Sequence, residues 1–261
     1  MLITLTTDFG YADSYVGIMK GVIYRIDPQA RIVDLSHGVP AQDIMAAALL
    51  LRHSVQYFPR GAIHVAVVDP GVGGVRRPLL VEADGDYLIG PDNGVLSLAA
   101  TTRERPNRII HLSNTTYYLR PTSATFHGRD IFAPVAAYLS LGVAAEAFGA
   151  TTNDWVELRW PTILRTGVTI EGEIVYIDGF GNLFTNIRAH DLEELPARPL
   201  KITVRDLSIP GLAENYAAVE SGQYVALINS WGLLEIAIYK DSAQRRSGAS
   251  VGDKVKVAPF P

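Results

Sequence analysis

An aspartate and an arginine stand seven positions apart in the stretch Val68-Asp69-Pro70-Gly71-Val72-Gly73-Gly74-Val75-Arg76-Arg77. An acid and a base on one glycine-rich loop can hold and polarise a small polar molecule, and the glycines let the backbone approach it closely. No Gly-Lys-Ser/Thr follows, so the loop is not a P-loop; a solvated turn is the competing reading. In Thr125-Phe126-His127-Gly128-Arg129-Asp130, His127 lies between a phenylalanine and a glycine. There an imidazole can project into a cleft, either as a proton acceptor or as a structural hydrogen-bonding group. Asp8, in Thr6-Thr7-Asp8-Phe9-Gly10, could accept two hydrogen bonds from a vicinal diol such as a ribose, or serve as a helix cap or Asx turn. Asp178-Gly179-Phe180-Gly181-Asn182 brings a carboxylate, the Phe180 ring and the Asn182 carboxamide within five residues. A ring can stack on adenine and a carboxamide can pair with its edge, although a glycine-rich hairpin is equally served by these residues. Asn229-Ser230-Trp231-Gly232 reads as a turn. His37, His53, His64, His111 and His190 have no comparable setting and read as structural.

These stretches fall where strands end and loops begin, the usual ligand location in an α/β sheet. Leu2 to Thr6, Arg31 to Leu35 and Ala62 to Val68 are strand-like, the last apolar throughout as for a strand buried on both faces. Tyr15 to Ile26 carries apolar residues at helical spacing and stops at Asp27-Pro28, and Asp43 to Tyr57 is a second, strongly apolar helix. Leu79 to Ala83 and Tyr87 to Ile89 flank Asp84-Gly85-Asp86, a hairpin signal. Short helices are expected at Gly94 to Thr101 and Ile131 to Leu141. Strand–helix alternation predicts a mostly parallel α/β sheet. After Trp160-Pro161 the pattern becomes short strands at Ile170 to Ile177, Leu200 to Val204, Tyr224 to Ile228, Leu233 to Tyr239 and Lys254 to Ala258. Only Asp191 to Leu195 reads as helical there. The expected fold is an N-terminal α/β domain over 1–163 and a smaller antiparallel β-barrel domain over 168–261.

Composition removes several function classes. With 48% hydrophobic and 19% charged residues, the chain can bury one large core or two modest ones. The net charge of −4, with no Lys/Arg run, argues against a nucleic-acid partner. The absence of cysteine excludes disulfides, thiolate-bound zinc and a thiol nucleophile. There is no His-x-x-x-His and no carboxylate cluster, so a site without metal is expected. The longest aliphatic run, Ile44 to Leu51, cannot span a bilayer, and the first residues lack a basic region, so a cytoplasmic protein is expected.

Taken in order, the motifs resemble the S-adenosyl-L-methionine hydroxide adenosyltransferase family, relatives of fluorinating and chlorinating enzymes acting on the same substrate. The match is carried by TTDFG at 6–10, DLSHGVPAQD at 34–43, VVDPGVGGVRR at 67–77, GPDNGVLS at 90–97, TFHGRDIFAPVAAYL at 125–139, DGFGNLFTNI at 178–187 and ALINSWGLLEIA at 226–237. It spans nearly the whole chain. The resemblance implies a homotrimer whose active sites lie between one subunit's N-domain and a neighbour's C-domain, with S-adenosyl-L-methionine as substrate and no cofactor. It implies that Asp69, Arg76 and His127 activate water, that Asp8 binds the ribose and that Phe126 forms a pocket wall. It further implies that Asp178 meets the methionine ammonium, Asn182 reads adenine, Tyr216 stacks on the nucleoside and Ser230 binds the methionine carboxylate. Halogenating relatives have Arg where this chain has Trp231, Trp where it has Gln42, and no acid at the position of Asp69.

The reaction so implied is displacement of methionine from the sulfonium by water at C5′ of the ribose. Hydroxide is scarce at neutral pH, because bulk water has a pKa of about 15.7. Arg76 is expected to stabilise developing hydroxide, His127 to accept or relay the proton, and Asp69 to orient one of them. A carboxylate beside the nucleophile repels halide, which disfavours halogenation. A sensor that binds adenosine or the intact sulfonium without chemistry would use Asp8, Asn182 and Tyr216, but would leave Asp69, Arg76 and His127 without a purpose.

Overall fold

The run LITLTT forms β1 (Leu2–Thr7), with five of six residues buried, and a loop carries the chain into α1 (Tyr15–Ile26), which buries Val16, Met19 and Ile23. There follow β2 (Arg31–Ser36), α2 (Ile44–Ser54), β3 (Ile63–Val67), β4 (Pro78–Ala83), β5 (Asp86–Pro91), α3 (Ser97–Ala100), β6 (Arg108–His111) and α4 (Ala133–Ser140). The computed structural model describes residues 1–101, 106, 108–195 and 199–259. These divide into two units, Met1–Leu158 and Arg159–Pro261.

In the first unit the strands make one sheet in the order β2-β1-β3-β5-β4-β6. Strands β2, β1, β3 and β5 are parallel neighbours, and β4 and β6 are antiparallel additions. The parallel strands therefore deliver their C-terminal ends to one edge, where the loops after β1, β2 and β3 lie. Strand β3 is buried at every position, as its unbroken apolar character requires of a strand covered on both faces. Ile3, Leu5, Met19, Ile23, Ile63, Val65 and Phe132 belong to the core. Asp84 and Gly85 turn β4 into β5 with φ of 54° and 85°, the positive values a two-residue hairpin turn demands.

Several boundaries move. Asp43 is the N-cap of α2, its side chain accepting from the Ala46 N–H; the helix ends at Ser54 and passes into a 3₁₀ turn, Val55–Tyr57. The helix expected over Gly94 to Thr101 shrinks to α3, because Gly94 has φ of 98° and its added Cβ would lie 2.7 Å from Leu158 Cγ. A π-helical turn, Gly128–Phe132, precedes α4. Strand β6, absent from the sequence reading, pairs with β4 through Leu79↔His111 to Glu82↔Arg108.

The second unit contains β7 (Leu164–Thr166), β8 (Thr169–Ile177), β9 (Leu183–Arg188), α5 (Ala189–Glu193), β10 (Leu200–Val204), β11 (Leu207–Pro210), β12 (Tyr224–Ile228), β13 (Leu233–Ile238), α6 (Ala243–Ser247) and β14 (Lys254–Pro259). The order is β11-β10-β14-β8-β9-β13-β12, with β7 also on β8, and every ladder is antiparallel. A bridge between Ala213 and Leu227 brings the chain beyond β11 against β12, so the sheet nearly closes as a barrel. Ile170, Leu183, Ile202, Leu234, Ile236 and Val257 fill it. Helix α6 corrects the expectation of a single helix in this half: Ser242 caps it by accepting from Arg245 N–H.

Candidate active site

Val67 and Thr7 are register partners at the ends of the parallel strands β3 and β1, so the loops that follow must leave the sheet side by side. Asp8 and Asp69 thereby line one pocket of about 410 Å³ together with Phe9, Tyr15, Gln42, Phe126 and His127. Phe126 meets Phe9 and Tyr15 edge-on at centroid distances of 6.0 and 5.2 Å, which makes an aromatic wall. Gln42 arrives from the loop after β2 in a left-handed conformation, φ 66°, and its backbone N–H donates to Asp8 Oδ2 at 2.8 Å. That bond fixes one oxygen of Asp8.

Asp69, Arg76 and His127 form a continuous triad. Arg76 Nε donates to Asp69 Oδ1 at 2.9 Å, and Nη2 makes a second, short bond to Asp69 Oδ2. Nη2 also meets His127 Nδ1 at 2.6 Å. The two charged side chains are only 9% and 5% exposed, so their mutual bonds are little screened by water. Because Arg76 stays protonated, it is the donor, and His127 Nδ1 must carry the lone pair. The proton of the neutral ring is then on Nε2. Burial first, then the Arg76 charge, lowers the His127 pKa below the ordinary 6.5.

Arg76 is not among the residues facing the pocket; Asp69 and His127 are. The guanidinium sits behind Asp69 with its Cζ 5.6 Å from the Phe132 ring centroid. The guanidinium thus holds the carboxylate that lines the pocket.

Neighbouring segments hold the triad in place. Gly73 has φ of 76°, and a Cβ added there would lie 2.1 Å from the Ala124 carbonyl oxygen; only glycine lets this loop touch the segment that carries His127. Buried Asp130 accepts from both N–H and hydroxyl of Ser123, and Ser123 Oγ accepts from Phe126 N–H, shaping the turn before His127. The sequence reading gave no role to Asp92 or Asn93. Asn93 Nδ2 donates to the Val68 carbonyl at 2.8 Å. Arg77 donates to Asp92 Oδ2 from Nε and Nη2, while Asp92 N–H donates to the Arg77 carbonyl. One dipeptide after β5 thus clamps both ends of the loop between Asp69 and Arg76. The signal was present in Gly90-Pro91-Asp92-Asn93, two side chains suited to turns and caps.

The second unit has its own pocket, about 770 Å³, lined by Asp178, Phe180, Asn182, Tyr216, Asn229, Ser230 and Glu235 among others. Its β8–β9 connection is the tight turn the alternative reading described: Asp178 Oδ1 accepts from Phe180 N–H and Asn182 N–H, both at 2.9 Å. Asp178 Oδ2 accepts from Asn182 Nδ2 at 3.1 Å. Phe180 stands 81% exposed at the rim. Trp231 lies outside the lining, stacked on Tyr176 at 5.5 Å and edge-on to Phe184 at 4.9 Å. Glu235, missed in the sequence, is fully buried, accepts from Tyr216 Oη at 2.8 Å and has its pKa raised by that burial.

Among the described residues no group of three or more His, Asp or Glu side chains could hold a metal ion, and no helix is long and apolar enough to cross a membrane.

Family models described as the SAM hydroxide adenosyltransferase N-terminal and C-terminal domains match residues 3–149 and 172–256. An (R)-S-adenosyl-L-methionine hydrolase of Salinispora arenicola is 37% identical over 98% of this chain and 97% of its own length. A fluorinase of Actinoplanes is 28% identical over 90% of each chain. A solved structure, described as an uncharacterized conserved protein from Thermotoga maritima, superposes with a TM-score of 0.91 at 31% identity. It covers 99% of this chain and 100% of its own.

Proposed function

This chain belongs to the SAM hydroxide adenosyltransferase family, and from that premise we propose that it hydrolyses S-adenosyl-L-methionine to adenosine and L-methionine. The observation that carries the reading is the part-buried Asp69–Arg76–His127 triad, with Asp69 facing a pocket that also holds Asp8. The Salinispora arenicola relative supports it by name, as an (R)-S-adenosyl-L-methionine hydrolase.

Water oxygen attacks C5′ in line with the C5′–S bond. The bond electrons return to sulfur, the sulfonium becomes a neutral thioether, and methionine leaves without needing a general acid. As the O–C bond forms, the water acquires positive charge and becomes a far stronger acid than a carboxylic acid. A carboxylate is then a competent acceptor, and Asp69 is placed to orient the water and take its proton. Arg76 fixes Asp69 through its two bonds, leaving the remaining carboxylate lone pairs for the water. His127 anchors Arg76 by its Nδ1 and so acts as a positioning residue rather than the base. Asp8 binds the ribose diol, and Phe126 walls the pocket. In the second unit Tyr216 and Phe180 offer faces for adenine, Asn182 its edge contact, Asp178 meets the methionine ammonium and Ser230 the carboxylate end, while Trp231, expected there too, packs on Tyr176 outside the pocket lining. We read the protein as a homotrimer on the resemblance, and as a cytoplasmic, metal-free enzyme on its sequence.

Incubation with each sulfur epimer of S-adenosyl-L-methionine in ¹⁸O-water, followed by mass spectrometry, tests the reaction. The expected product is adenosine carrying ¹⁸O at O5′. Binding without turnover would replace hydrolysis by the sensor reading, and adenosine lacking the label would exclude attack by water at C5′.

The pH profile tests the role of His127. Its neutral form makes the bond to Arg76, and its folded pKa is depressed below 6.5. The intact triad therefore persists above that ordinary value and is lost only as pH falls through the lower one. The acid limb of kcat should lie below pH 6.5; a histidine limb above it would show the protonated ring to be the resting form.

A further inference from the structure

Glu235 lies in β13, LLEIAI, where every residue is buried. A carboxyl group without solvent is costly in such a strand unless donors satisfy it. Its hydrogen-bond donor comes from a separate loop. Tyr216, on the 3₁₀ turn Tyr216–Ala218, donates its hydroxyl to Oε1 at 2.8 Å. The Asn229 Nδ2 and Glu235 Oε2 atoms are both buried and make no hydrogen bond among the described residues. Asn229 uses its own Oδ1 to accept from Trp231 N–H at 2.9 Å and Leu233 N–H at 3.1 Å, so its orientation sets the turn that presents Ser230. Tyr216, Asn229, Ser230 and Glu235 all line the second unit's pocket.

We propose that Glu235 is a positioning residue for substrate binding, its buried carboxyl holding the Tyr216 ring in the pocket wall beside the Asn229–Ser230 turn. This builds on the reading of that pocket as the adenosine and methionine surface. A ring whose hydroxyl is held in the wall cannot swing out of the pocket about χ1, so its position is set before the ligand arrives. The residue does not touch the reacting atoms and acts through Tyr216.

Calorimetry with adenosine and steady-state kinetics on Glu235→Ala, Glu235→Gln, Tyr216→Phe and the Glu235→Ala/Tyr216→Phe double variant test the assignment. Glu235→Ala should raise the adenosine Kd and the KM together by about tenfold, with a much smaller change in kcat. Tyr216→Phe removes the same bond and should match it. The double variant should be no worse than either single one, because coupled groups are not additive. Glutamine retains an acceptor for Tyr216 and should recover most of the affinity, a rescue that mere filling of the core would not require. Independent, multiplying effects, or a fall in kcat at unchanged Kd, would overturn the proposal. If Glu235→Ala does not fold, an unchanged Kd in Tyr216→Phe still overturns it. Failure of the unaltered protein to bind adenosine would instead remove the functional reading itself.

Discussion

Asp69→Asn should lower kcat by about 10²–10⁴-fold, the range by which a positioned general base accelerates a reaction. The substitution keeps the shape of the side chain while removing the charge and one acceptor oxygen. Arg76 now donates to both oxygens of Asp69. Facing asparagine it would find one oxygen and one NH₂ group, and a guanidinium cannot donate to an amide donor. The variant thus loses the proton acceptor and loosens the group that held it. Adenosine affinity, which depends on other contacts, should change less than about threefold. Single-turnover kinetics alongside adenosine titration separate the two effects. A kcat within tenfold of the parent would mean that Asp69 does not take the proton, and the assignment would pass to another group on the pocket.

Asp8→Ala should weaken adenosine binding by about two orders of magnitude, because a carboxylate accepting from two hydroxyls makes two charge-assisted bonds. The Gln42 N–H already holds Oδ2, so the carboxylate is oriented before binding. The control lies in the ligand. With 2′,3′-dideoxyadenosine there is no diol to grip, and parent and variant should bind alike. If the dideoxy ligand suffers as much from the substitution as adenosine does, Asp8 serves the loop and not the ribose.

Much of the frame was legible because it depends on periodicity. Helix α1 spans the residues its apolar spacing marked, and strand β3 declared itself by unbroken hydrophobicity. Strand β6 did not, because only Ile109 and Ile110 of its four residues are buried. Its first residue, Arg108, is satisfied instead by ion pairs to Glu82 and Glu146. Helix α6, AQRRS, is likewise too polar and short for a pattern and depends on its Ser242 cap. At the site, residue types and strand-end placement singled out Asp8, Asp69, Arg76 and His127 as candidates. They could not assign the division of labour among the three triad members. That depends on which atoms meet: Arg76 Nη2 on His127 Nδ1 decides the tautomer, and the position of Arg76 behind Asp69 decides which group faces the pocket. Tyr216 had no local signal and entered only through the family resemblance. Glu235 did leave one, a lone acid inside an otherwise apolar strand, whose meaning appears only once Tyr216 is seen beside it.

The contact between Gly73 and Ala124 limits how this site can change over generations. Backbone meets backbone there, with 2.1 Å between a would-be Cβ and a carbonyl oxygen, so no side chain can be trialled at that position without separating Arg76 from His127. Variation in nucleophile preference must therefore arise at positions whose side chains point into the pocket, such as Gln42, rather than by reshaping the loop. The architecture leaves the chemistry open to single substitutions on the lining while closing the loop beneath it to them.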